Sequence, residues 1–186
     1  KMCYHNNINI ARKFIEQGVQ PNTLCLEYAC INNSIDLFII LAKENVSFNL
    51  NCLEYACMNN NITMIEILLK KVKPSLSCLE IASYENNLNL LKLLLNKHIF
   101  PTQRCLEYAC TNANLEMVQL LLNKGIKPND YCLEVTCYKN NLNILKLFYL
   151  TKNTFLTQEC LENACINNNI DMINFLLNKG AKPNLK

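Results

Sequence analysis

The sequence predicts an all-α solenoid: stacked antiparallel helix pairs with short loops and little or no strand. Three observations carry that prediction. The hexapeptide CLEYAC begins at Cys25, Cys52 and Cys105, and related copies begin at Cys78 (CLEIAS), Cys132 (CLEVTC) and Cys160 (CLENAC); the steps are 27, 26, 27, 27 and 28 residues. A fixed period of this size marks stacked repeats, in which each unit buries its apolar side against its neighbours. Each unit also holds a second segment with apolar residues at helical spacing, such as Leu115, Met117, Val118, Leu120, Leu121 and Leu122 around polar Glu116 and Gln119. Finally, all three glycines and all five prolines fall between such segments.

The chain opens within a unit. Residues 1–24 align with the later part of the following repeats, so they are read as a partial unit, from a piece of a longer array or from an array whose first helix is cut. Six full units start at residues 25, 52, 78, 105, 132 and 160, and residues 1–186 are expected to form a single array with no linker or second domain.

In each full unit the first helix carries the CLEYAC segment. Three positions ahead of its opening cysteine stands Asn22, Asn49, Ser75, Thr102, Asn129 or Thr157. All six can accept an orphan backbone N–H with a side-chain oxygen, so this row is read as the N-caps. The phased glutamates Glu27, Glu54, Glu80, Glu107, Glu134 and Glu162 then lie in the first half of the helix, where the dipole favours negative charge. An acidic ladder binding a cation is the alternative; a local structural role is preferred.

A phased asparagine (Asn33, Asn60, Asn86, Asn140, Asn168) precedes the second helix, and asparagine tolerates the left-handed backbone of a tight helix-to-helix turn. The second helix is so broadly apolar that it is expected to be covered on more than one side. It closes at Gly18, Gly125 or Gly180, the position of a left-handed C-cap, with Asn45, His98 and Asn153 in that slot elsewhere. Pro21, Pro74, Pro101, Pro128 and Pro183 follow and stop the helix from continuing.

Composition narrows the function. A net charge of +3 with interspersed signs supplies no basic stripe for nucleic acid. The longest apolar run, around Leu37–Ala42, is far too short to cross a bilayer, and no charged-then-apolar leader is present, so no membrane association or secretion is expected. The twelve cysteines keep the repeat phase: a second cysteine follows the first by five positions at Cys30, Cys57, Cys110, Cys137 and Cys165, with Ser83 in the Cys78 unit and Cys3 in the same slot of the partial unit. Spacing of five residues puts the two side chains on different faces of a helix, and His5 and His98 fall in unrelated slots. The thiols are therefore read as small apolar packing residues in a reducing, intracellular compartment, with no cofactor or metal. A metal-binding or redox module is the alternative. Neither histidine has a phased nucleophile, and no phosphate loop is present, so no enzyme and no small-molecule substrate are expected.

These residues resemble the ankyrin repeat. LCLEYAC (Leu24–Cys30) is similar to the family's TPLHxAA segment, SCLEIAS (Ser77–Ser83) keeps its opening hydroxyl, and Ala113–Asn129 and Asn168–Asn184 are similar to its GHxxIVxLLLxxGAxxN segment. The resemblance spans the chain but departs in length. The family period is 33, and the missing residues fall between PN and CLE, where ankyrin repeats project a β-hairpin finger. The resemblance implies a non-catalytic scaffold for a protein partner, whose CLEYAC helices line a concave side. A spacer or shell component is a further reading. The asparagine-, isoleucine- and lysine-rich composition resembles coding from AT-rich genomes, as in many protists and large DNA viruses; a viral origin would place the chain in host cytoplasm or a virion.

In ankyrin-like arrays the residues that end the first helix carry much of the partner contact. Here those pairs are Tyr4 and His5, Ile31 and Asn32, Met58 and Asn59, Tyr84 and Glu85, Thr111 and Asn112, Tyr138 and Lys139, and Ile166 and Asn167. Their first members form an apolar and aromatic row, which marks a candidate binding surface if exposed. Packing against the neighbouring layer is the competing expectation.

Overall fold

The computed structural model describes residues 7–150 and 157–183. Cys3, Tyr4, His5, Asn153 and Asn184 lie outside the described residues. Among the described residues there are thirteen α-helices and no strand. The chain divides into two compact parts, Lys1–Ile99 and Phe100–Lys186.

The first part holds α1 (Ile8–Glu16), α2 (Thr23–Ile31), α3 (Ile35–Lys43), α4 (Leu50–Met58), α5 (Ile62–Leu68), α6 (Leu76–Tyr84) and α7 (Leu88–Leu95). Helices pair as α2 with α3, α4 with α5, and α6 with α7; α2, α4 and α6 stack as one row, and α1, α3 and α5 as another. The second part repeats the plan with α8 (Gln103–Thr111), α9 (Leu115–Asn123), α10 (Asp130–Tyr138), α11 (Leu142–Leu150), α12 (Gln158–Ile166) and α13 (Ile170–Asn178). Here α8, α10 and α12 form the first-helix row, and α9 packs against α11. In both parts the first helices are packed more closely on one another than the second helices are.

The helices are short, so tertiary packing has to supply their stability. Each first helix buries the same positions: Leu26, Ala29 and Cys30 in α2 recur as Leu53, Ala56 and Cys57 in α4, and as Leu106, Ala109 and Cys110 in α8. Each second helix turns one stripe inward, such as Leu37, Phe38 and Leu41 in α3. A fully buried leucine contributes about 1.5–3 kcal/mol. The second helices are less completely covered than their composition suggests: Ile39, Ile62, Leu115 and Ile170 are exposed. Each packs inward on its own first helix, and α3, α5 and α9 also pack sideways on a neighbouring second helix, which leaves an outer face open.

The predicted punctuation is in place. All six residues Asn22, Asn49, Ser75, Thr102, Asn129 and Thr157 are N-caps. Thr102 alone of the six makes no side-chain cap bond; its hydroxyl lies 3.6 Å from Cys105 Sγ instead. Asn33, Asn60, Asn86, Asn140 and Asn168 are left-handed, as are Gly18, Gly125, Gly180 and His98. Asn45 departs from the expectation. It is not left-handed, because α3 ends in an extended Glu44 (φ −79°, ψ 161°) and needs no reversal there.

Candidate functional site

The first helices are fastened to one another by their own caps. Asn49 accepts from Cys52 N at 3.1 Å to cap α4, while its amide donates to Glu27 Oε1 on α2. Asn51 donates to the same oxygen at 3.3 Å. In the next layer Ser75 Oγ donates to Glu54 at 2.9 Å, and in the second part Asn129 Nδ2 donates to Glu107 at 2.8 Å. Bonds to a carboxylate are stronger than neutral ones. Glu27, Glu54 and Glu107 thus have the structural role expected of the row, but they act on the following repeat rather than on their own helices.

A second set of bonds runs along the turns. In most turns the residue after the left-handed position caps the second helix: Asn61 Oδ1 accepts from Met64 N at 3.1 Å, Asn87 from Leu90 N at 2.9 Å, and Asn141 from Ile144 N at 3.1 Å, whereas Ser34 makes no side-chain cap bond. The amide of the same residue reaches back one repeat. Asn61 donates to Asn33 Oδ1 at 2.7 Å, Asn87 to Asn60, and Asn169 to Asn140. Ala113 (φ 52°) stands where the other turns have a left-handed asparagine, and Asn141 settles for its backbone oxygen at 3.4 Å.

The predicted binding row is brought together within each part. Ile31, Met58 and Tyr84 are 41%, 51% and 63% exposed in the first part; Tyr138 and Ile166 are 65% and 77% exposed in the second. Thr111 is half-buried, with Oγ1 donating to Glu107 O at 2.9 Å and lying 3.4 Å from Tyr131 OH. Among the second members, Asn32, Glu85, Lys139 and Asn167 are exposed, and Asn59 and Asn112 are half-buried. Asn59 and Asn167 have committed amides, which donate to the last carbonyls of the preceding first helix, at Cys30 and Ile31 and at Cys137 and Tyr138. They set the spacing of the row rather than its outward chemistry.

Sequence reasoning missed that the row is the end of a wider face. Positions seven and three residues earlier share that side of a helix turning 100° per residue. Leu24 and Tyr28 thus accompany Ile31, Tyr55 accompanies Met58, Ile81 accompanies Tyr84, and Tyr131 and Val135 accompany Tyr138. Leu24 and Tyr131 are exposed, and the others are half-buried. The signal was present in the spacing of the CLEYAC tyrosine and the residue before the cysteine.

The cysteines point the other way. Of those in the described residues only Cys25 and Cys165 are accessible, half-buried and exposed respectively, and all are free thiols. Second-slot and first-slot sulfurs of successive repeats are hydrogen-bonded: Cys30 with Cys52, Cys57 with Cys78, Cys110 with Cys132, and Cys137 with Cys160. That bond, followed by burial, drives the second-slot thiols well above their ordinary range. The first-slot thiols accept the bond and move down, helped by the N-cap residue beside them. Among the described residues no group of three or more histidine, cysteine or acidic side chains is placed to hold a metal ion.

Comparison with known proteins agrees with this architecture. The family model described as ankyrin repeats (3 copies) matches residues 26–105, 53–132 and 79–186. No curated protein matches the chain.

Proposed function

Because the chain belongs to the ankyrin-repeat family, whose members are generally protein–protein interaction modules and typically non-catalytic, we propose that it is a non-catalytic scaffold that docks a protein partner on the exposed face of its first helices. One observation carries the reading. Ile31, Met58, Tyr84, Tyr138 and Ile166 stay largely exposed while the fold buries the leucines beside them. Large apolar groups displayed at a regular interval mark an interaction surface. The reading treats all six repeats as one array. It excludes nucleic acid and a membrane as partners, in keeping with the sparse basic charge on these helices and the absence, among the described residues, of any helix long and apolar enough to cross a bilayer. The free thiols support a reducing compartment.

Tyr84 and Tyr138 are the first anchors to test. Aromatic hot-spot residues contribute about 2 kcal/mol or more each on truncation, so Tyr84→Ala with Tyr138→Ala weakens capture of a partner by at least about a hundredfold. Both rings are mostly in solvent, so far-UV circular dichroism stays at the parent level. Partners are identified by affinity capture and mass spectrometry, then titrated against both proteins. Undiminished affinity in the double variant rules out this face.

A further inference from the structure

The first helices segregate charge. Together they carry eight carboxylates and a single arginine, Arg104, in a chain whose net charge is +3. In the Cys25, Cys52 and Cys105 repeats the phased glutamate takes a hydrogen bond from the cap of the following repeat. Glu134 does not follow them. The next cap is Thr157, whose hydroxyl accepts from Cys160 N at 3.3 Å and lies 3.2 Å from Cys160 Sγ. Glu134 meets the carboxyl of Glu159 on α12 instead, with Asp130 adding further negative charge. Glu162, one turn along α12, is exposed and held by Gln158 at 2.6 Å. Neither α10 nor α12 contains a lysine or arginine. Lys139, just past the end of α10, is the nearest basic residue in sequence.

On α10 the residues Tyr131, Glu134 and Tyr138 are spaced three and four apart, so they share one face. Glu134 therefore lies between two exposed tyrosines, 49% and 65% accessible, with Glu159 and Ile166 exposed on the neighbouring α12. Crowded like charges on an exposed aromatic surface are complementary to a cationic side chain. Its charged head meets the carboxylates, and its methylene stem covers the rings.

We propose that the α10–α12 face docks a basic peptide segment of the partner, with a lysine or arginine seated between Glu134, Glu159, Tyr131 and Tyr138; this deepens the docking-face reading above and rests on it. A neutral or acidic segment would leave the carboxylates facing one another, and a bare divalent cation would make no use of the tyrosines.

The test uses the full chain and two synthetic probes, an alternating lysine–leucine peptide and its glutamate–leucine counterpart, followed by fluorescence anisotropy. The lysine peptide is expected to bind and the glutamate peptide to fail. Glu134→Gln with Glu159→Gln weakens the lysine peptide about tenfold or more, while the melting temperature holds or rises because a repulsion has been removed. Tyr131→Ala with Tyr138→Ala weakens it as well. Equal binding of the two peptides, no binding of either, or an affinity unmoved by the glutamine changes overturns the proposal. So does calcium binding that is lost in the glutamine variant without any peptide binding. Selection from an unbiased peptide library separates this from the broader reading. Enriched peptides that depend on Tyr138 but are not basic overturn the charge inference and leave the docking face standing. If no selected peptide responds to the tyrosine changes, both fall.

Discussion

Asn61 joins two repeats through one side chain, and replacing it separates the two bonds it makes. Its oxygen caps α5 through Met64 N at 3.1 Å, and its amide donates to Asn33 Oδ1 at 2.7 Å. Asn61→Ala removes both. A lost asparagine cap costs about 1 kcal/mol, and a hydrogen bond this exposed contributes about 0.5–1 kcal/mol. The expected loss is therefore about 1.5–2 kcal/mol, or a ten- to thirtyfold change in the folding equilibrium. Asn61→Ser keeps a cap oxygen but is too short to reach Asn33, so it should cost only the second share, about 0.5–1 kcal/mol. Asn33→Gly keeps the left-handed turn (φ 52°) and removes the acceptor. Combined with Asn61→Ser, it should show a coupling of the same size. Urea unfolding gives the totals where m is unchanged, and hydrogen exchange in α4 and α5 gives the local values, since stacked repeats can open layer by layer. If Asn61→Ala and Asn61→Ser both stay within about 0.3 kcal/mol of the parent, the turn bonds do not hold the layers together, and the reasoning fails.

Other outcomes follow from the same contacts. Ala113→Asn should stabilise the second part by about 1 kcal/mol, because it relieves a left-handed alanine and offers Asn141 a side-chain acceptor; an unchanged or lower melting temperature counts against it. Among the cysteines of the described residues, alkylation of the native protein, mapped by mass spectrometry, should reach Cys165 first and Cys25 next, with the buried thiols reacting only on unfolding. Equal rates at Cys57 and Cys165 would contradict the packing. Stability should fall as pH rises above the ordinary thiol value of 9.0, because an unfolded pair sheds both protons while Cys57 or Cys137, held high in the fold, keeps its own. The depressed first-slot partners contribute with the opposite sign, but that contribution is complete by then. The slope is at most about 1.4 kcal/mol per pair for each pH unit, read from urea melts across the alkaline range; a flat profile would remove the shared-proton account.

The helices, caps and turns were legible because each rests on local chemistry repeated six times over. One ambiguous slot, such as Leu24 or Tyr131 just before the cysteine, is corrected by its counterparts. The left-handed asparagines could be foreseen from backbone sterics alone. Asn45 departs because repeat phase alone places it in the cap slot, and phase does not reveal that the chain leaves α3 extended. What the sequence withheld were bonds between repeats. Nothing in the spacing of Asn49 and Glu27, or of Asn61 and Asn33, states that one layer brings them within reach of each other. The same limit hid the approach of Glu134 to Glu159, which stand on the first helices of successive repeats.

Along each turn, holding and displaying fall to alternate residues. Asn59 and Asn61 grip the preceding layer while Met58, the last residue of α4, stays outward. The outward side chain can be exchanged without disturbing the pitch at which its neighbours stand. Such an arrangement lets a lineage rewrite what the surface reads, one letter per layer, on a frame that does not need to be refolded for each new text.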